Sequence, residues 1–361
     1  MSSKGITEPR ILDALRVVID PDLHRDIVTL GFVKNVKIEG SVVSFDVNLT
    51  TPACPVKDRF REQARQAVMS ALPDVTDVHV KMTAEVRRPA VPQATQLKGV
   101  RNIIAVGSGK GGVGKSTIAA NLAASFARSG ARVGLLDADI YGPTIPIRMQ
   151  SGTPAEPLPD STIEPGEAFG VKLMSMGYLS PGDQPLIWRG PMAHKALQQS
   201  LLATRWGELD YLIVDLPPGT GDVHLTLVQT VPVTGAVIVS TPQDVGLQIS
   251  LKTLRMFQQT KVHLFGIIEN MSTYICPHCG GRDDIFGHGG AQEASRAIGV
   301  PFLGEVPLDK AIRAYADEGV PVLIAAPDSP AAKALAEVSG KLAQQISIQA
   351  MKTLPLSIVE E

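Results

Sequence analysis

Two groups of residues have the types and spacing to do chemistry. The first is Gly109-Lys110-Gly111-Gly112-Val113-Gly114-Lys115-Ser116, followed by Thr117. It meets the pattern G-x-x-x-x-G-K-[ST], in which small residues let backbone N–H groups turn inward on a nucleotide's phosphates at a helix N-terminus. Lys115 is expected to reach the β- and γ-phosphates, and Ser116 Oγ to ligate Mg²⁺. The second group is Cys276-Pro277-His278-Cys279-Gly280-Gly281, a Cys-x-x-Cys in a turn bounded by Pro and Gly. Such a turn can aim two thiolates at one soft metal centre. Two ligands do not complete a site, and three completions stand open: His278 and His288 of the same chain, a dithiol–disulfide couple, or two chains contributing two cysteines each. On spacing alone zinc is favoured over an iron–sulfur centre. A thioredoxin-type pair is disfavoured, because those pairs open a helix.

Acidic residues complete the nucleotide site. Tyr211-Leu-Ile-Val-Asp215 puts Asp215 at the carboxyl end of an apolar strand, where ligands of open α/β sheets sit, and it fits the acid that supports Mg²⁺ without binding it directly. Asp137 and Asp139 follow another strand to the same edge, and Asp139 is preferred to position or deprotonate the attacking water. A cap or turn role is the ordinary alternative for each. The third cysteine, Cys54, precedes an expected helix whose N–H groups and dipole should lower its pKa. A half-buried structural thiol is the alternative.

The elements that must hold these groups follow from periodicity. Ile11, Leu12, Leu15, Val18 and Ile19 recur at helical spacing; Phe32–Ile38 and Val42–Leu49 alternate as a hairpin; Pro55 to Ala71 reads as a helix and Val75–Met82 as a strand. Residues 1–87 are thus expected to form a small α+β domain of order αββαβ. Residues 88–101 read as a linker. From Asn102 strands alternate with helices, so residues 102–349 are expected to form an α/β domain with a doubly wound, mainly parallel sheet, and residues 350–361 a tail. The strands expected are Ile103–Gly107, Arg132–Asp137, Val171–Met176, Tyr211–Asp215, Ala236–Ser240, Leu264–Glu269 and Phe302–Val306. The principal helices are Ser116–Arg128, Ala193–Thr204, Val245–Gln258 and Ala331–Ile348. Gln150 to Gly170, rich in Pro, Gly and Glu, reads as an excursion over the surface.

Composition excludes several classes. With 361 residues, 44 % hydrophobic and 19 % charged, the chain is neither disordered, collagenous nor a coiled coil. A net charge of −2 gives no overall drive toward nucleic acid or an anionic membrane. Three cysteines are no disulfide framework and suit a reducing compartment. No secretory signal and no apolar run of roughly 18–20 residues is present, so a soluble, cytoplasmic protein without membrane or nucleic-acid partners is expected.

Lys110, a second lysine inside the loop, resembles the deviant Walker A class of MinD, ParA and the nitrogenase iron protein. That resemblance implies an ATP-dependent homodimer in which Lys110 reaches phosphates across the interface. The whole chain resembles the Mrp/ApbC family of iron–sulfur cluster carrier ATPases, through Gly107–Ser116, Leu136-Asp-Ala-Asp-Ile-Tyr-Gly-Pro143, Asp215-Leu-Pro-Pro-Gly-Thr-Gly-Asp222, Glu269-Asn-Met-Ser272 and Cys276-Pro-His-Cys279. The resemblance, not the spacing, implies a [4Fe–4S] cluster bridging Cys276 and Cys279 of two chains, slow ATP hydrolysis and cluster transfer to apoproteins. It further implies that Asn270 reads adenine, that the segment around Pro307 walls the base, and that Gly219 and Asp222 belong to a second switch near the γ-phosphate. The first domain resembles the iron–sulfur assembly domain fused to many members, in which Cys54 would hold a cluster transiently or contact a partner. Two other readings remain: a MinD/ParA-like positioning ATPase, and a zinc-containing NTPase that inserts another metal.

Overall fold

The structure is a computed structural model and describes residues 6–54, 56–86, 97–150, 153–179, 190–276 and 278–352. Most of the expected linker, most of the expected tail, and residues Pro55 and Pro277 lie outside the described residues. The final helix, Pro330–Lys352, continues three residues into the segment expected as a tail.

The N-terminal unit has one helix pair against a three-stranded sheet. The strands are Val33–Glu39, Val42–Leu49 and Asp77–Ala84, with the middle strand antiparallel to the first and parallel to the last. Val42–Leu49 alternates so that Val43, Phe45, Val47 and Leu49 point inward, onto Phe60, Ala64 and Val68 of the helix Lys57–Ala71. The first helix, Glu8–Leu15, is shorter than the apolar spacing suggested. Ile19 instead pairs with Asp26 in a two-residue ladder and is half exposed, while Asp20 caps the turn before Leu23. The local Asp-Pro turn chemistry stops the helix, although the apolar period continues past it.

The larger unit is built on a sheet of nine strands among the described residues. Its order is Gly166–Ala168, Val171–Ser175, Val133–Asp137, Leu209–Asp215, Val100–Ser108, Gly235–Ser240 and Leu264–Ile275; Arg282–Asp283 and Phe302–Leu308 both pair with the last. Gly166–Ala168 and Arg282–Asp283 are antiparallel to their neighbours; the others are parallel. Successive residues serve opposite faces. Ile104, Val106, Leu135 and Ile213 join the core under the helices Lys115–Arg128 and Pro330–Lys352. Ile103, Ala105, Leu136 and Val214 join the core on the other face, with Leu197, Leu254 and Phe257 from the helices Gly190–Leu202 and Asp244–Gln259. Burial on both faces explains why these strands are continuous apolar runs.

From Val100–Ser108 the chain first builds toward Val133–Asp137 and later toward Gly235–Ser240 on the opposite side. The carboxyl end of Val100–Ser108 is therefore the point where the winding reverses, the place where open α/β sheets bind ligands. The stretch expected as a surface excursion is partly structural. Gly166–Ala168 forms the sheet's edge strand and Ala155, Ile163 and Ala168 are buried, because scattered apolar residues among Pro and Gly still found a sheet edge to cover.

Candidate nucleotide site and cysteine knuckle

The phosphate loop occupies that reversal point. Gly112 and Gly114 have φ of +78° and +82°, the left-handed region where a side chain is strained, and Gly114 caps the helix Lys115–Arg128. Ser108 Oγ donates to the Lys110 carbonyl at 3.1 Å, fixing the loop's entry. Lys115 is 6 % exposed and its Nζ donates to Asp215 Oδ1 at 2.5 Å and to Ser116 Oγ at 3.3 Å. Asp215 is 0 % exposed, and among the described residues its Oδ2 has no hydrogen-bond partner. A buried carboxylate oxygen without a donor, near the Ser116 hydroxyl, offers oxygens that a hard cation with its waters would satisfy once Lys115 turns to a phosphate.

Asp137 and Asp139 are separated by their surroundings. Asp137 sits across from Asp215 in the parallel register and is 1 % exposed. It accepts from Asp139 N at 3.1 Å, from Thr144 N and Ile145 N at 3.0 Å each, and from Ser175 Oγ at 3.2 Å. Burial, and then the charge of Asp215, push its pKa up to about 7. Its role is to hold the loop after its strand. Asp139 is half-buried and lines a cleft with Tyr141, Pro217, Gly221 and Asp222. Burial raises its pKa against the opposing pull of Lys115.

The segment Pro217–Asp222 is laid directly on the phosphate loop's strand. Gly219 has φ +93°, its N–H donates to the Ser108 carbonyl at 2.8 Å, and its carbonyl accepts from Thr253 Oγ1 at 3.1 Å. His224, in the first turn of the following helix Asp222–Thr230, is fully buried, and among the described residues neither ring nitrogen has a well-aligned hydrogen-bond partner; burial draws its pKa down to about 4. Lys110 stands apart from this cluster. It is half-buried and its Nζ donates to Gln243 Oε1 at 2.9 Å.

Asn270 meets the loop from the far side, its Nδ2 donating to the Val113 carbonyl at 2.8 Å. Asn270 pairs with Val306 in the sheet register, which puts Pro307 at the same edge. Gly109, Gly111 and Thr117 take their places in the loop and first helical turn, where Thr117 carbonyl accepts from Asn121 Nδ2 at 2.9 Å.

The cysteine knuckle lies past the end of the strand Leu264–Ile275. Cys276 N donates to the Gly281 carbonyl and Gly280 N to the Cys276 carbonyl, both at 2.9 Å, closing a tight turn. Both thiols are free; Cys276 is partly exposed and Cys279 exposed. Backbone N–H groups of His278 and then Cys279, followed by the Cys279 side chain, hold the Cys276 thiol below its usual value. Among the described residues no third His, Cys, Asp or Glu converges on the two sulfurs. The one three-membered group of such side chains among the described residues is Glu269, His288 and Glu305, with ligand atoms within 4.8 Å of each other. His288 Nε2 is 3.0 Å from Glu305 Oε2, so it is engaged away from the cysteines.

Cys54 departs from expectation. Its thiol pKa is raised, by burial first and then by Asp22 and Asp20, although Val56 N–H and Lys57 pull it down. The turn ahead of the helix packs the thiol against the domain core, and lost solvation exceeds the effect of the helix N-terminus.

Sequence reasoning missed Gln243, Thr253, His224 and the Glu269–His288–Glu305 group. A signal existed for one of them. Glu269 interrupts the apolar run Leu264-Phe-Gly-Ile-Ile, and a charge in a strand buried on both faces requires partners.

A phosphate loop at the reversal point of a doubly wound parallel sheet, with a lysine–aspartate pair behind it, defines a P-loop NTPase. The family model described as NUBPL iron-transfer P-loop NTPase matches residues 99–343, and the one described as iron–sulfur cluster assembly protein matches residues 8–82. The chain belongs to the NUBPL-type iron-transfer P-loop NTPase family. An iron–sulfur cluster carrier protein of Deinococcus radiodurans is 50 % identical over 349 residues, covering 96 % of this chain and 97 % of that one. A nucleotide-binding protein of Archaeoglobus fulgidus, solved with ADP and with cobalt found in it, is 40 % identical with TM-score 0.54, covering 62 % of this chain and 88 % of its own. The cell division ATPase MinD of Pyrococcus furiosus shares the fold at 21 % identity and TM-score 0.52, covering 66 % of this chain and 97 % of its own. Among the described residues no helix is long and apolar enough to cross a membrane.

Proposed function

We propose that this protein is an ATP-binding and hydrolysing iron–sulfur cluster carrier whose homodimer holds one [4Fe–4S] cluster between Cys276 and Cys279 of both chains and delivers it to apoproteins. One observation carries this reading. Two free thiols, one held toward the thiolate, stand at the surface with no third ligand from their own chain among the described residues. Ile275 and Ile285, each 52 % exposed, flank the knuckle and supply an apolar rim that a second copy would cover. The names of the relatives favour iron–sulfur over zinc as cargo.

In the nucleotide site, Lys115 would exchange Asp215 for the β- and γ-phosphates. Ser116 Oγ and the unpartnered side of Asp215 fit Mg²⁺ with its waters, and the metal, when bound with ATP, neutralises charge on the phosphate oxygens. Asp139, made more basic by burial and open to the cleft, orients the attacking water. Lys110 extends from the loop toward the partner's phosphates, adding positive charge only in the dimer, so hydrolysis is slow and dimer-dependent. Asn270 and the segment around Pro307 receive the base. The N-terminal domain, with its hindered Cys54, docks partners instead of supplying a reactive thiol.

The test is anaerobic reconstitution with iron and sulfide, followed by metal and sulfide analysis. About four irons and four sulfides per dimer, lost in Cys276→Ala and Cys279→Ala, are expected. Zinc alone, or iron that persists in both variants, overturns the assignment.

A further inference from the structure

We propose that Glu269 is a positioning residue that ties the cysteine knuckle to the strand gripping the phosphate loop, so that bound nucleotide sets the reactivity of Cys276 and Cys279. The inference deepens the carrier reading and rests on it for its meaning, while its test does not depend on bound iron.

Successive residues of a strand point to opposite faces, and Glu269 and Asn270 use that geometry to reach two different loops. Asn270 Nδ2 donates to the Val113 carbonyl at 2.8 Å. The approach is so close that a Cβ on Gly114 would fall 2.3 Å from this nitrogen. The Val113 carbonyl and the Gly114 N–H belong to one planar peptide. A phosphate that draws the N–H inward therefore turns the carbonyl that Asn270 holds.

Glu269 is 0 % exposed and grips the other loop. Its Oε1 accepts from Gly289 N at 3.0 Å and its Oε2 from Ala291 N at 2.8 Å, at the start of the helix Gly290–Ile298. This is where the cysteine-bearing segment returns to the domain. The outgoing stem is held on the same strand, through Tyr274 opposite Asp283 and Ile275 opposite Arg282. One lateral tie joins the return stem to the neighbouring strand, His288 Nε2 to Glu305 Oε2 at 3.0 Å. Described residues between the stems, from His278 to Ile285, are exposed. The knuckle thus hangs from the strand Leu264–Ile275 by both ends.

The strand is irregular on both sides of this pair. Its register with Phe302–Leu308 shifts between Ile267 and Ile268 and again between Asn270 and Tyr274, and Met271 has φ +58°, an uncommon conformation for a non-glycine residue. Movement of Asn270 reaches Glu269 through the shared backbone. The buried carboxylate cannot release its two N–H donors without leaving charge unsolvated, so it carries the return stem with it.

The experiment uses cluster-free, reduced, full-length protein labelled with iodoacetamide with and without Mg·ADP, read peptide by peptide by mass spectrometry. In the wild type ADP is expected to change the labelling rates of Cys276 and Cys279 by about fivefold, in the range of ordinary coupling between sites. In Glu269→Gln, whose amide can accept only one of the two N–H groups, the change should fall to under about 1.5-fold while ADP affinity stays within about twofold. An undiminished change in this variant, or no change in the wild type, overturns the proposal. If Glu269→Gln fails to bind ADP, His288→Ala decides: a response at least halved supports the link, and an unaltered one removes it. Nucleotide-dependent labelling in a protein that never takes up iron would keep the link and discard the carrier reading.

Discussion

Acidification probes the buried imidazole that follows the Pro217–Asp222 segment. The pKa of His224 is drawn from 6.5 to about 4 by burial, which outweighs the opposing pull of the Gly221 backbone and is helped by Lys115; among the described residues neither ring nitrogen has a well-aligned hydrogen-bond partner. A folded pKa below the unfolded one means that the stability contributed is fully present above about pH 6.5 and is lost as pH falls toward 4. The gap is about 2.5 units, worth about 3 kcal/mol when fully expressed. At pH 5 the unfolded imidazole is almost wholly protonated and the folded one about one-tenth so, which makes the loss relative to pH 7 about 2 kcal/mol. Asp137 acts in the opposite sense. Its pKa is raised to about 7, so its contribution is greatest at low pH and is lost as pH rises through that value. The two partly cancel, and only a comparison with His224→Leu isolates the histidine. Urea unfolding followed by circular dichroism at pH 7 and pH 5 is the assay. The wild-type protein should lose about 2 kcal/mol relative to the variant over that interval, and the variant should be at least as stable at pH 7, because two unpaired nitrogens are gone. A wild-type and variant difference that changes by less than about 0.5 kcal/mol would refute the argument.

Three further outcomes follow from the site. Lys115→Ala should abolish nucleotide binding and cost about 3 kcal/mol of stability by leaving Asp215 buried and unpaired; Lys110→Ala should bind nucleotide normally yet lose about a thousandfold in turnover. Calorimetric titration alongside an ATPase assay separates the two, and equal losses in both variants would remove the cross-dimer role of Lys110. Gly114→Ala, at φ +82° with a Cβ 2.3 Å from Asn270 Nδ2, should weaken ADP binding at least about tenfold; unchanged affinity counts against the geometry of the loop. In cluster-free protein, alkylation of Cys276 should begin at lower pH than that of Cys54, since one thiol is held down by N–H groups and the other pushed up by burial. Mass-spectrometric rates in the reverse order would contradict both assignments.

Legibility in the sequence followed the range of the forces involved. The phosphate loop, the Cys-x-x-Cys turn and the seven parallel strands of the larger sheet are legible because each depends on neighbours along the chain: glycine where φ must be positive, apolar runs where both faces are covered; the antiparallel strands Gly166–Ala168 and Arg282–Asp283 are too short to carry such a pattern. The first helix is shorter than its apolar period, which runs on through Val18 and Ile19, because Asp20 and Pro21 turn the backbone.

The sequence alone determined the class of fold, the phosphate loop and the pair of thiols, all of which are patterns of adjacent residues. Tertiary structure decided which carboxylate does what. Asp137 and Asp139 are two residues apart, yet one is enclosed by four donors and the other opens to the cleft. It also decided the pairing of Lys115 with Asp215 across 100 residues of chain, the sign of the Cys54 shift, and the anchoring of the knuckle by Glu269. Desolvation and charge act through space, on neighbours that only folding brings together.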